Sequence, residues 1–269
     1  MLVVRYALLV ALAALATSVR AETINCTPVT SLPAVISTQG LYCLTGNLTT
    51  SQATGNAIEI DANNVTLDLN GWKVGGQAAG TGTVAIGIYS TAVNVTVKNG
   101  IVRGFRGGIY LTGRGAVVQD MLVDQNTVYG IRVDGQGAVV DRNKVVDTGG
   151  TTAYTGADAT AIDALGESST VSNDVVSGLT ATDTGNEYGI YVTGVQSTVH
   201  DNVISDSAPP TGGGTSYGIF QEQSIVANNF ISNFVYGIYN AYGIFAHNTA
   251  NNCTTSYGGS GTAGAGNSP

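Results

Sequence analysis

The tripeptide Gly-Ile-Tyr, or a near variant, returns along most of the chain and constrains its fold more than any other feature. It occurs as Gly87-Ile88-Tyr89, Gly108-Ile109-Tyr110, Gly130-Ile131-Arg132, Gly189-Ile190-Tyr191, Gly218-Ile219-Phe220 and Gly237-Ile238-Tyr239. Ala57-Ile58-Glu59 and Ala161-Ile162-Asp163 are degenerate copies. Each is followed by a turn, a second apolar strand and usually an Asn or Asp, as in Val139-Val140-Asp141-Arg142-Asn143 and Ile225-Val226-Ala227-Asn228-Asn229. A third short strand follows, such as Lys144-Val145-Val146 or Phe230-Ile231-Ser232. A unit this small buries its apolar face only by stacking on its neighbours, so the pattern predicts a solenoid.

Spacing between copies is 19 to 22 residues for plain coils and 28 to 31 for coils with insertions. Residues 57–249 hold about eight such coils, each with up to three strands. Residues 22–56, with a strand at Leu41-Tyr42-Cys43-Leu44, read as an amino-terminal cap that covers the first strand edges. Residues 250–269 turn to Gly, Ser, Thr and Asn and read as a tail. The insertions fall between Asp147 and Thr160, Ser177 and Tyr188, and Ser205 and Tyr217. All three enter the same strand position on successive coils. Loops stacked beside a flat sheet form a wall, and a wall beside a sheet forms a groove.

Residues 1–21 carry a basic start at Arg5, an apolar run from Ala7 to Ala16 and a small-x-small site at Val19-Arg20-Ala21. The run is too short to span a bilayer and reads as a secretory signal peptide, which predicts a secreted or periplasmic protein starting near Glu22. No later stretch suits a membrane helix, so no membrane insertion is expected. Loss of Arg5 and Arg20 moves the formal charge from −8 to −10. That acidity argues against nucleic acid, and against anionic polysaccharides unless a cation bridges them. Cys26 and Cys43 flank one short segment where export permits a disulfide, although spacing alone does not fix the pairing. Cys253 is left over, and no His or Cys cluster suggests zinc.

The coil pattern, the repeated Gly-Ile-Tyr strand and the Asn at the second bend resemble right-handed parallel β-helix proteins of the pectin-lyase-like superfamily. Leu41 to Gly46, Ala57-Ile58-Glu59-Ile60 and Val65 to Gly71 are similar to exported bacterial β-helix repeat proteins. The resemblance covers most of residues 41–249 and implies an all-β, single-stranded right-handed parallel β-helix solenoid with an amino-terminal cap. It implies less about function, because the superfamily includes lyases, hydrolases, epimerases and non-catalytic binders.

On such a fold, equivalent residues of successive coils stack about 4.8 Å apart and alternate residues face outward. The residue after each Ile therefore forms an outward column: Glu59, Tyr89, Tyr110, Arg132, Asp163, Tyr191, Phe220, Tyr239. Two residues further on, a second column includes Asp61, Thr112, Asp134, Thr193 and Glu222. Arg132, Asp134 and Asp163 thus meet on adjacent coils and are the candidate catalytic residues. Tyr89, Tyr110, Tyr191, Phe220 and Tyr239 are the candidate sugar-binding aromatics, since rings offer flat faces to sugars and carboxylates serve as acid, base or calcium ligands. In pectate-lyase-like relatives the cleft lies on this face beside its loops, and a lyase scheme there would use calcium with a basic residue. A plain sheet surface covered by Tyr, with a weak exposed Arg132–Asp163 pair, would show the same pattern.

Several motifs of the catalytic families are missing. The sequence has no Asn-Thr-Asp, Asp-Asp and Gly-His-Gly set of polygalacturonases and no Asp-Pro-His-Glu of alginate epimerases. Asn99, Asn143, Asn202, Asn229 and Asn248, with Asp174 as the variant, read as structural residues at a left-handed bend with stacked amides. The Tyr before Gly (Tyr129, Tyr188, Tyr217, Tyr236) reads as corner packing. His200 and His247 lack a nucleophile nearby. The sequence thus points to a polysaccharide or cell-surface glycan as partner. Cleavage by a lyase or glycoside hydrolase, glycan binding or surface attachment without turnover, and a structural exported protein whose face binds no sugar all remain open.

Overall fold

The computed structural model describes residues 25–207, 210 and 212–269; the expected signal peptide lies outside them. The chain is wound into two parallel sheets, each running the length of the molecule. One sheet has ten strands, one per coil, among them Asn56–Ile60, Ile86–Ser90, Gly107–Leu111, Tyr129–Val133, Ala159–Ala164, Glu187–Val192, Ser216–Gln221 and Tyr236–Asn240. The other, of eighteen strands, carries the second and third strands of the coils. The architecture is the right-handed parallel β-helix that the repeats imply.

The core is a set of like-on-like columns. Ile58, Ile88, Ile109, Ile131, Ile162, Ile190, Ile219 and Ile238 are all fully buried and stack from coil to coil. Val97, Val118, Val140, Val171, Val199 and Val226 do the same on the second strand. Stacking identical β-branched side chains fills the interior without rotamer conflict between coils. Where a glycine precedes the Ile, this packing requires it; Ala57 and Ala161 take the same buried position on two coils. A Cβ on Gly130 would lie 2.4 Å from Val145 Cγ1 and 2.7 Å from the Ala161 carbonyl oxygen, and one on Gly189 2.4 Å from Ile204 Cγ2.

At the bend between second and third strands, two jobs fall to adjacent residues. The left-handed conformation belongs to Asp120, Arg142, Asn173, Asp201, Asn228 and His247, with φ from 55° to 60°. The residue after each points inward: Met121 follows Asp120, and Asn143, Asp174, Asn202, Asn229 and Asn248 form a buried hydrogen-bonded ladder that ends on the half-buried Asn267. Asn99, with φ 57°, therefore belongs to the left-handed column and not to the ladder expected from sequence. Its successor is Gly100, which has no side chain to contribute.

Both ends are more regular than the sequence suggests. Thr27–Val29, Ala34–Ile36 and Gly40–Leu44 already pair in register with the following coils, so the stretch read as a cap contains the first coil. A disulfide joins Cys26 to Cys43 across this coil. Thr255–Gly259 and Thr262–Ala263, in the stretch read as a tail, add a last coil with Tyr257 in the Ile column. Low-complexity composition concealed that coil.

Candidate functional site

The strand register places the outward column as the alternation predicts. Val35, Glu59, Tyr89, Tyr110, Arg132, Asp163, Tyr191, Phe220, Tyr239 and Gly258 are direct neighbours, coil by coil. A second outward column runs beside it through Tyr129, Thr160, Tyr188, Tyr217, Tyr236 and Thr255. These tyrosines, expected at a corner, form half of the aromatic face.

On the carboxyl-terminal coils the two columns are stacks. Tyr191, Phe220 and Tyr239 lie nearly parallel, with centroids 5.1 and 5.3 Å apart. Tyr188, Tyr217 and Tyr236 repeat this at 5.2 and 5.3 Å. Each stack meets the other edge-on, at 73° for Tyr188–Tyr191 and 87° for Tyr217–Phe220, in a herringbone. Edge-to-face contact between stacks and offset stacking within them are the two favoured aromatic geometries. The consequence for binding is restrictive. Phe220 has a ring on either side and offers no free flat face, while Tyr239 ends its stack against Phe220 on one side and Gly258, which has no side chain, on the other. Tyr89 and Tyr110 are edge-on to each other at 61°, and the Arg132 guanidinium lies 5.1 Å from the Tyr110 ring centroid.

Both columns are interrupted at one coil. Ala159–Ala164 carries Thr160 and Asp163 where its neighbours carry Tyr129 and Arg132 on one side and Tyr188 and Tyr191 on the other. The missing bulk leaves a pocket of about 520 Å³ between these four side chains, with Asp158 at its rim. Tyr188 and Tyr191 end their stacks here, so each turns an uncovered face toward the gap.

The charged groups meet at the edge of this pocket. Arg132 Nε donates to Asp134 Oδ1 at 3.0 Å, and Nη1 lies 3.5 Å from Asp163 Oδ2. The Tyr110 hydroxyl donates to Asp134 Oδ2 at 2.8 Å. Asp163 is buried, and its Oδ1 has no hydrogen-bond partner. Burial pushes its carboxyl up to about 7, against the pull of Arg132 and with a smaller push from Asp134. Burial also raises the phenols of Tyr129 and Tyr188 to about 12. The structure therefore brings Arg132, Asp134 and Asp163 together, with Tyr110 and Tyr191 on either side.

A wall rises along one side. Residues 150–158, 181–186 and, among the described residues of the next connection, 206–207 and 212–215 lie between third strands and the next coil and hydrogen-bond to one another. Thr182 N donates to the Ala157 oxygen at 3.1 Å, Asn186 N to Asp158 Oδ1 at 2.7 Å and Thr215 N to Asn186 Oδ1 at 2.9 Å. Arg106 anchors the first of these loops, with its guanidinium 5.5 Å from the Tyr129 ring and 5.7 Å from that of Tyr154. A fourth insertion, residues 76–85, reaches over two short corners to join it. Thr152 N donates to the Thr81 oxygen at 3.1 Å. Its signal was present in the 30-residue step from Ala57 to Gly87.

Calcium does not fit the residues present. Among the described residues, no group of three or more His, Cys, Asp or Glu side chains could hold a metal ion. Asp134 and Asp163 are both turned onto Arg132, whose charge a cation would have to displace. Asp158 lies in an inserted loop outside both columns read from the sequence, and Tyr188, read there as corner packing, belongs to a further outward column. His200 pairs with Asp201 on the opposite sheet, away from this face.

No protein-family model and no curated protein matches the chain. Solved structures do. One is the Dettilon tailspike protein, with a TM-score of 0.60 at 14% identity over 84% of this chain. Another is the catalytic domain of a GH87 α-1,3-glucanase in complex with tetrasaccharides, with a TM-score of 0.51 at 14% identity over 89% of this chain. The chain spans 55% of the tailspike and 64% of the glucanase domain. These likenesses bear on the fold alone: both are parallel β-helix structures over most of this chain. No helix among the described residues is long and apolar enough to cross a membrane.

Proposed function

We propose that the protein binds a glycan on its ten-strand face, at the gap between Arg132 and Tyr191. The observation that carries this reading is the coincidence, on one coil, of an interrupted aromatic surface, a pocket of about 520 Å³ and a buried carboxyl. Pockets that recognise small polar rings combine apolar faces with a few fixed polar groups. Here Tyr188 and Tyr191 supply the faces, while Asp158, Asp163 and Arg132 supply the hydrogen bonds. The wall loops close one flank and carry Asp158 to the rim.

A second reading, cleavage of the bound glycan, is favoured by one feature. A carboxyl with a pKa of about 7 keeps a proton near neutral pH, as a general acid in glycoside hydrolysis must, and Asp158 is a second carboxylate on the same pocket. Asp163 would protonate the leaving oxygen and Asp158 would serve as base or nucleophile. Arg132 would hold Asp163 in place while remaining bound to Asp134. A calcium-dependent lyase is the less suited scheme, because Arg132 is a permanent cation already committed to two carboxylates.

The test is retention of neutral and acidic polysaccharides by the protein, read beside release of new reducing ends with and without a chelator. Retention that falls in Tyr191→Ala supports binding. Reducing ends released by wild type and lost in Asp163→Asn add cleavage. Failure to retain any glycan overturns the reading.

A further inference from the structure

From the interrupted stacks we infer that the gap at Thr160 and Asp163 takes a single neutral pyranose, the terminal or branch residue of a glycan, inserted edge-first so that it replaces the missing rings. This rests on the glycan-binding reading and narrows it.

The dimensions come from the coil repeat. Arg132 and Tyr191 stand two coils apart, about 9.6 Å at a rise of about 4.8 Å per coil. Subtracting half the thickness of a planar group on each side leaves about 6 Å, which admits one saturated ring and not two. The uncovered faces of Tyr188 and Tyr191 then meet the axial C–H groups of that ring, the contact which Tyr217 and Phe220 supply to their other faces. On the opposite side the ring meets the Arg132 guanidinium and Tyr129.

The same geometry dictates how the rest of the glycan must leave. Along the helix axis both neighbouring positions are occupied, by Tyr129 and Arg132 before the gap and by Tyr188 and Tyr191 after it. Beyond Tyr191, the rings of Phe220 and Tyr239 are stacked face on face. No run of open ring faces therefore lines the axis to hold consecutive sugars. The strand floor closes the gap from below, and Ala157 and Asp158 close the side of the wall. A residue with a glycosidic link at only one end fits this enclosure, with its link pointing outward.

Charge selects the class of ring. Asp158 and Asp163 both border the pocket, and Arg132 is already engaged by Asp134 and Asp163. Arg106 also borders it, but its guanidinium lies over the Tyr129 and Tyr154 rings. A uronate carboxylate in the gap would face two acids, whereas hydroxyls can donate to both. The ring is thus a neutral one.

The experiment compares methyl glycosides of glucose, galactose, mannose and N-acetylglucosamine with the corresponding linear tetrasaccharides, and methyl galacturonoside with its tetramer, by titration calorimetry and saturation-transfer NMR. One neutral methyl glycoside is expected to bind within about tenfold of its tetrasaccharide, because one ring provides most of the contact. The double variant Thr160→Tyr with Asp163→Tyr continues both stacks across the gap. It is expected to melt no lower than wild type and to lose binding of that methyl glycoside and its tetrasaccharide together. Should the double variant misfold, Thr160→Tyr alone fills half the gap and is expected to weaken both by about tenfold or more.

Affinity that climbs by about a hundredfold or more from one ring to four overturns the inference in favour of an axial groove and leaves glycan binding intact. Full binding by a folded filled variant does the same. A preference for galacturonoside overturns the neutral-ring assignment. A wild type that binds none of these sugars overturns both this inference and the reading on which it rests.

Discussion

Two aspartates on one coil, Asp163 and Asp174, differ in a way that separates a site from a scaffold. Each interrupts a column that its neighbours keep. Asp163 stands between Arg132 and Tyr191 on the ten-strand face, and Asp174 stands between Asn143 and Asn202 in the bend ladder. Burial lifts both carboxyls to about 7, and each has one oxygen without a partner. Outside Asp174, however, everything is filled. Its Oδ1 accepts from Asn143 N at 2.7 Å and Asn143 Nδ2 at 3.0 Å, and the residue is fully buried. Outside Asp163 there is a pocket. A raised carboxyl pKa reports burial in both places; only the open space beside Asp163 gives the proton something to act on.

The largest effect is expected at Asp174. In the other rungs the amide nitrogen donates to a valine carbonyl of the preceding coil and to the next side-chain oxygen, as Asn202 does to Val171 and Asn229 at 3.1 and 2.9 Å. At Asp174 that place is taken by Oδ2, which by register faces the Val140 carbonyl and Asn202 Oδ1, both acceptors. Only a protonated carboxyl satisfies them. Its folded pKa is raised from 3.8 to about 7, so the fold favours the neutral acid. Stability is therefore full below about pH 4, declines as pH rises toward 7 and is level above that. Asp174→Asn supplies the missing donor and is expected to stabilise by about 2 to 4 kcal/mol at pH 7 and above, with no gain at about pH 4. Denaturation at a series of pH values checks this. Equal stability of the two proteins at every pH would mean that Asp174 is not the sealed acid that the comparison requires.

Asp163→Asn should separate the two acids further. It removes a burial penalty of the same sign but also the contact with Arg132, which keeps its Asp134 partner. Because the pKa of about 7 already includes the pull of Arg132, a gain of the same sign is expected at pH 7 and above. With no ladder acceptors waiting for the new amide, it is smaller than at Asp174, about 1 to 3 kcal/mol. Ligand binding carries the larger signal. Wild-type affinity is expected to change as pH passes through about 7 and to be flat in the variant. A pH profile unchanged by Asp163→Asn would place the titrating group elsewhere.

The sequence carried the columns but not the gaps between them. Strand alternation and the repeat fix which residues stack, so Arg132, Asp134 and Asp163 could be placed together from spacing alone. What alternation does not convey is which way a ring turns. Tyr191, Phe220 and Tyr239 look equivalent in sequence, yet only Tyr191 keeps an uncovered face toward the gap, because Thr160 and Asp163 precede it. Tyr188 reads as a corner residue in the sequence because the buried Gly189, whose Cβ position would meet Ile204, sits between it and Ile190, so two consecutive positions face inward and shift the alternation. The carboxyl-terminal coil was missed for a different reason. Its strands are Thr-Ser-Tyr-Gly-Gly and Thr-Ala, and such residues join a sheet only when a preceding coil offers an edge.

A third acid lies between the sealed and the open cases, and the smallest effect is expected there. Glu187 and Asp206 face each other at the foot of the wall. Glu187 Oε1 accepts from Ala181 N at 3.1 Å, and Asp206 Oδ1 accepts from Leu179 N at 3.2 Å and Ser207 N at 2.7 Å. Their other oxygens are buried without a donor, so one shared proton satisfies both. Burial and the neighbouring Asp206 push Glu187 up to about 7. Its folded pKa thus lies above the unfolded value, and the pair is sound below about pH 7 and repulsive above it. Loops 181–186 and 206–215 begin or end at these residues, and the first holds Asp158 through Asn186. Hydrogen exchange in residues 181–186, corrected for base catalysis, is expected to quicken between about pH 6 and about pH 8, by a local opening energy within about 1 kcal/mol. Glu187→Gln keeps the bond from Ala181, offers a donor to Asp206 and should remove the pH dependence. Exchange that stays level in wild type would show that the shared proton does not govern the wall. Asp158 would then hold its place at the rim at any pH, and any pH response of binding would have to arise in the gap itself.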